Sequence, residues 1–367
     1  MRKTSSNANK MAEVAARLGV SISTVSRALA GNPRISEATR RRVREMTASL
    51  GYRVDASASN LRTGLTRTIA VVIPLAHATG QRLSDPFFLE IIGAIGDELA
   101  LRGYSMLLSK VTQPPGEWIS GTIRARRADG VIVIGQSLHH EQLNKAASGE
   151  VAMAVWGARL RGQRYVTVGS DNQGGAYLVT SHLISQGCRR IAFLGDPAVP
   201  EVSARREGYI RALQAEGMGR TASLEVAVRF GSDAAYDAVS SLLDAEADFD
   251  GIFCCSDVIA MSAMRALTER GRKIPADVAV TGFDDIPLAS YTTPPLTTVR
   301  QDCLAGARIL VDSVLRASAG ETVESEVIPV ELIVRASSLR QHHRPVPVHQ
   351  AERKASTTPR ARARKEE

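Results

Sequence analysis

Residues 11–18, MAEVAARL, put Val14, Ala15 and Leu18 on one face at helical spacing and predict a short helix, with Asn9 available to cap it. Leu18-Gly19-Val20-Ser21 then predicts a tight turn in which Gly19 takes a positive φ. Ser21 is placed to cap a second helix, ISTVSRALA, on which Val25 and Leu29 face inward at i, i+4. A third helix is predicted after Ser36, through EATRRRVREMTASL, ending at Gly51. Helix, four-residue turn with glycine, helix is the helix-turn-helix pattern, whose second helix enters the major groove of DNA. After Tyr52 the periodicity stops, and RVDASASNLRTGLTRT reads as a polar linker.

From Thr68 the pattern changes. Short apolar runs (TIAVVIP, SMLLS, GVIVIG, VAMAVW, RIAFLG, GIFCCS, VAVTGFDD) alternate with amphipathic stretches such as FFLEIIGAIGDELALRGY and SARREGYIRALQAEG. Repeated β-α units predict parallel sheets with helices on both faces, here in two series of similar length and hence two lobes. Open α/β sheets bind ligands beyond the carboxyl ends of their strands, which between two facing lobes is the cleft. The expected fold class is α/β, with an all-α helix-turn-helix domain in front. Its expected parts are a DNA-binding domain at 1–53, a hinge at 54–67, a two-lobed effector-binding and dimerisation domain at 68–340, and a basic, disordered tail at 341–367.

Charge separates the same regions. The chain's net charge is +8, but residues 1–67 hold 13 Lys+Arg against 4 Asp+Glu, and residues 341–367 hold 7 against 3, so the middle is net acidic. A basic head on an acidic body points to a polyanion as partner of the head alone. No run of about 18 uncharged apolar residues occurs, so no membrane span is expected. MRKTSSNANK is followed by no apolar segment, so no signal peptide and a cytoplasmic location are expected. Cys188, Cys254, Cys255 and Cys303 lack metal-ligand spacing and read as reduced structural thiols, and the seven histidines read as lone surface residues. No G-x-G-x-x-G, no G-x-x-x-x-G-K-[ST] and no G-x-S-x-G follows a strand, so neither a nucleotide cofactor nor a serine nucleophile is expected, and no metal.

EVAARLGVSISTVSRALAGNPRISEATRRRV resembles the N-terminal domain of the lactose-repressor/galactose-repressor family nearly residue for residue. The resemblance implies base-edge contacts from Ile22, Ser23 and Arg27, the last suited to guanine O6 and N7, with Ser21, Thr24, Ser26 and Asn32 at the same DNA surface. It further implies a hinge helix, formed only on DNA, in which Ser59 and Arg62 flank Leu61 and the leucine wedges into the minor groove. The implied partners are a palindromic double-stranded operator and a second copy of the chain. No terminal leucine heptad is present to join dimers.

The body resembles the family's periplasmic-binding-protein-like sensor through SDNQGGAYLVTSHLISQGCRRIAFLG, SARREGYIRAL, SDVIAMSAMRAL and TGFDDIPLASYTTPPLTTVRQD. Three crossings between lobes are implied, near Val168–Ser170, Leu296–Arg300 and Glu326–Pro329. The implied effector residues are Arg205 of R-x-x-G, Asp284, Ser256, Gln301 and the aromatics Phe87, Phe88, Trp156 and Phe230. Phe88 fits core as well as pocket, Asp284 also fits a helix cap, and Asp285 reads as structural. Planar donor forks, carboxylate acceptors and aromatic faces suit a sugar, and the same Arg and Asp suit the edge of a purine. The implied function is a ligand-controlled repressor. A sugar-transport protein is the remote alternative, opposed by the DNA-binding motif. An enzyme using the Asp284-Asp285 pair lacks a partnered nucleophile or metal set.

Overall fold

The structure, a computed structural model, describes residues 4–29, 32–51, 65–74, 82–111, 115–136, 139–149 and 151–340. The head is three helices: α1 (Thr4–Leu18), α2 (Ile22–Leu29) and α3 (Glu37–Ser49). Val14, Ala15, Val25, Ala28 and Val43 form its buried centre, flanked by Leu18, Leu29, Ile35 and Met46. Gly19 has φ +64° in the turn. Ser36 caps α3 by accepting from the Thr39 N–H, and Gly51 follows the helix end at φ +58°. One expectation fails: α1 runs back to Thr4, so Asn9 lies within the helix instead of capping it.

The first lobe is a six-stranded parallel sheet. Its strands are β1 (Thr68–Pro74), β2 (Ser105–Val111), β3 (Gly130–Ile134), β4 (Met153–Trp156), β5 (Val166–Ser170) and β11 (Glu326–Ile328), in the order β11-β5-β4-β3-β1-β2. Side-chain alternation along β1 splits it between two cores. Ile69, Val71 and Ile73 pack under α4 (Pro86–Leu101) and α11 (Cys303–Ser318), while Ala70 and Val72 join the layer beneath α5 (Pro115–Arg124) and α6 (His140–Ala147).

The second lobe is a four-stranded parallel sheet, β7 (Glu225–Val226), β6 (Ile191–Leu194), β8 (Gly251–Cys254) and β9 (Ala279–Thr281) in that order. Around it lie α7 (Asn172–Ser185), α8 (Pro200–Ala215), α9 (Ser232–Asp244) and α10 (Asp257–Glu269). β10 (Thr298–Arg300) and β12 (Glu331–Ile333) form an antiparallel ribbon against its edge. The chain passes between lobes after Ser170, after Arg300 and after Ile328, each at or just beyond the stretch expected. β11, which closes the first sheet beside β5, arrives from the far end of the chain.

Candidate functional site

On the head, α2 turns Ser21, Ile22, Ser23 and Arg27 outward, with Thr24 and Ser26 half-buried. Ile22 is 51% exposed and so is open to contact with a base. Ser21 Oγ accepts from the Thr24 N–H at 3.1 Å and lies 2.8 Å from the hydroxyls of Ser23 and Thr24, so the cap also orders its neighbours. Asn32 is half-buried and Oδ1 accepts from the Arg34 N–H at 2.9 Å, which shapes the turn leading to α3. Ser59, Leu61 and Arg62 lie outside the described residues, as does the basic tail.

Between the lobes lies a cleft lined by side chains from both. All eight side chains singled out in the body line it. From the first lobe, Phe87 and Phe88 at the start of α4 and Trp156 at the end of β4 form an aromatic wall, with the Phe87 ring centroid 6.3 Å from Trp156 and 6.0 Å from Phe88. Phe88 is 7% exposed and serves both the core and the cavity. Phe230, half-buried, belongs to the second lobe.

Arg205 is positioned by the glycine of its motif. A Cβ at Gly208 would overlap the Gln173 carbonyl, so only glycine lets α8 press onto α7. That approach brings Arg205 Nε to Asn172 Oδ1 at 2.8 Å, while Nη1 donates to the Cys255 carbonyl. The guanidinium lies 3.7 Å from the centre of the Phe283 ring. Asp284 stands 3.8 Å from Arg205 and accepts from Gln301 Nε2 at 2.7 Å. It does not cap a helix. Its φ is +126° and that of Asp285 is +56°, strained conformations for residues with a Cβ. Asp285 anchors the strain: it accepts from Arg300 Nε at 2.7 Å and Arg335 Nη2 at 2.6 Å, the structural role expected of it. Ser256 caps α10, accepting from the Ile259 N–H at 3.3 Å.

Burial dominates the electrostatics. It raises the Asp284 carboxyl to about 7; Arg205 opposes this and Asp85 adds to it. Asp257, fully buried beneath, is also pushed well up by burial and by Asp284, though Thr298 Oγ1 and the Ile286 N–H both donate to it. Four polar residues of the cavity were missed: Asp85, Ser170, Asn172 and Glu201. Glu201 faces Gln136 and Ala158 of the opposite lobe, and burial raises its carboxyl.

Three of the seven histidines correct a second expectation, while His77, His342, His343 and His349 lie outside the described residues. His139 is buried, and burial lowers its pKa. His140 meets the Tyr165 hydroxyl at 2.7 Å and His182 meets Ser338 Oγ at 2.7 Å, so these are packed residues and not lone surface ones. The four cysteines are free and buried, with burial pushing the thiols of Cys188 and Cys255 up to about 12. No group of residues suited to a metal occurs among the described residues.

A helix-turn-helix head and a two-lobed α/β body enclosing a polar-aromatic cleft define a DNA-binding sensor protein. Residues 10–55 match the family described as bacterial regulatory proteins, lacI family, and residues 180–338 match a periplasmic binding protein-like domain. The chain is 35% identical to the HTH-type transcriptional regulator CelR of Thermobifida fusca, over 88% of this chain and 96% of that one. It is 30% identical to the HTH-type transcriptional repressor CytR of Escherichia coli strain K12, over 92% and 98%. Among solved structures, a lac repressor dimer bound to operator matches with a TM-score of 0.77 at 25% identity, over 89% of this chain and 98% of that one. A CelR–cellobiose complex matches at 0.67 and 31%, over 89% and 99%. The chain belongs to the lacI family and is a DNA-binding transcriptional regulator.

Proposed function

We propose that this regulator is a repressor that binds a palindromic operator as a dimer through α2 and the hinge, and that a sugar held in the cleft controls it. The convergence of all eight chosen side chains on one cavity carries the reading. Arginine supplies only donors and aspartate only acceptors, so Arg205 and Asp284 fix the orientation of vicinal hydroxyls while the aromatic wall covers the ring's C–H face. The complex of CelR with cellobiose and a relative solved with ribose are in keeping with it. Ligand contacts made in one state of lobe closure and not another would shift the population seen by the operator. The protein acts in the cytoplasm and catalyses no reaction; no helix among the described residues is long and apolar enough to cross a membrane.

Calorimetry against mono- and disaccharides and purine bases, followed by gel shifts on a selected palindrome with and without the binder, tests the reading. A sugar that binds and changes operator affinity supports it. Binding by a purine base alone transfers the role of Arg205 and Asp284 to a base edge. Steady turnover of any sugar would replace the regulator with an enzyme.

A further inference from the structure

The cavity's charge is unbalanced. Asp85, Glu201 and Asp284 contribute three carboxyl groups, and among the described residues Arg205 is the one basic side chain in its wall. That arginine is already engaged by Asn172 Oδ1, the Cys255 carbonyl and the Phe283 ring, with Asp284 at 3.8 Å. Two of its five N–H groups are so engaged, and its single charge stands against three carboxyl groups. The three carboxyl groups come from separate elements: Asp85 before α4 in the first lobe, Glu201 at the start of α8, and Asp284 after β9. An independent observation points the same way. Ser170 is 6% exposed and sits on the cavity wall at the first crossing, yet its hydroxyl has no hydrogen-bond partner among the described residues. A buried hydroxyl without a partner is costly, and a ligand hydroxyl would satisfy it.

We propose that the cleft selects an electrically neutral, polyhydroxylated ligand and rejects phosphorylated and carboxylated sugars, with Asp85 and Glu201 imposing the charge filter and Ser170 taking one ligand hydroxyl. This rests on the reading of the cleft as the effector site. Carboxylates and a lone serine hydroxyl offer acceptors to O–H donors, which a neutral sugar has in plenty. A phosphate brings about −1.5 to −2 charges at neutral pH into low-dielectric surroundings already acidic.

The test is calorimetry on the full chain with cellobiose, glucose, galactose and ribose, and with glucose 6-phosphate, galactose 6-phosphate, glucuronate and galacturonate as charged probes. A neutral sugar should bind, and the charged counterparts should bind at least about 100-fold more weakly. Asp85→Asn with Glu201→Gln should narrow that gap at least about tenfold, and Ser170→Ala should weaken the neutral sugar about tenfold. Thermal melting of each variant separates lost folding from lost binding. A phosphorylated or carboxylated sugar bound as tightly as its neutral partner overturns the charge filter and leaves the cleft as effector site. A gap unchanged in the double variant removes Asp85 and Glu201 from it. Unaltered binding by Ser170→Ala removes that contact. Binding by none of the eight probes, with a purine base bound instead, overturns this inference together with the sugar reading beneath it.

Discussion

On the head, the outward face of α2 comes from one short run, Ser21 to Arg27, whereas the cleft draws its wall from positions spread between Pro74 and Gln301. The first surface is made by local rules. A glycine turn, a serine cap and two inward residues settle which side chains look out, and five small or β-branched residues hold the unit together. The second exists only after two sheets have formed and the chain has passed between them at Ser170, Arg300 and Ile328. The head can therefore be altered one residue at a time. Changes in the cleft spread through shared partners, because Asp284 touches Arg205 and Gln301 and lies beside buried Asp257.

The sharpest way to break this contrast is Asp284→Ala. It removes the acceptor that faces Arg205 and leaves Gln301 without its partner, and under the proposed function effector affinity should fall by about 3–4 kcal/mol. Operator affinity in the absence of effector should stay within a few-fold. Calorimetry and gel shifts on the same preparation check both; an unchanged effector affinity would take this aspartate out of the site.

A pH experiment probes the buried pair. Burial raises Asp284 to about 7, against about 3.9 for an aspartate in an unfolded chain. Between those values the folded protein holds a proton that the unfolded chain has released, so this group makes stability fall as pH rises from about 4 to 7. Asp284→Asn removes that titration. Relative to the variant, the parent should lose about 2–3 kcal/mol more stability between pH 5 and pH 7, read from urea unfolding midpoints. Parallel pH profiles would show that the carboxyl is hydrated and ordinary.

For the head, Arg27→Ala should weaken operator binding by about 1–3 kcal/mol and random DNA much less. Arg27 stands exposed on α2, one turn after Ser23. Gel-shift titrations on both DNAs test it, and an equal loss on the two would make Arg27 a phosphate contact.

These two surfaces were also unequally legible in the sequence. The helix-turn-helix face followed from turn, cap and period, apart from the start of α1. Seven of the ten sheet strands were visible as apolar runs, but β5, β7 and β11 were not, and the placing of β11 beside β5 joins segments some 160 residues apart that no local pattern marks. The eight cavity residues came from resemblance, position by position. Asp85, Asn172 and Glu201 were missed because each sits where a helix begins, next to Pro86, Asp171 and Pro200. Their local sequence announces a helix start and hides the second task. The histidines failed for the complementary reason: polarity suggested the surface, while Tyr165 and Ser338 supply partners from distant segments.

The smallest expected effect uses one chemical change in both regions. Ser21 caps α2 and Ser256 caps α10, each accepting a backbone N–H three residues on, at 3.1 Å and 3.3 Å. Loss of either cap should cost about 1 kcal/mol of local stability. On α2 the consequence should remain local: the amides of residues 22–25 exchange about fivefold faster, operator affinity falls a few-fold, and sugar affinity does not move. At α10 the same oxygen is 97% buried in residue terms and lines the cavity, so Ser256→Ala should weaken both the second lobe and the effector, with the exposed head unaffected. Hydrogen exchange with calorimetry on the two variants reads all of these. Sugar affinity disturbed by Ser21→Ala, or head amides disturbed by Ser256→Ala, would show that the two surfaces are already coupled in the absence of DNA, and that α2 is less self-contained than its short run of residues implies.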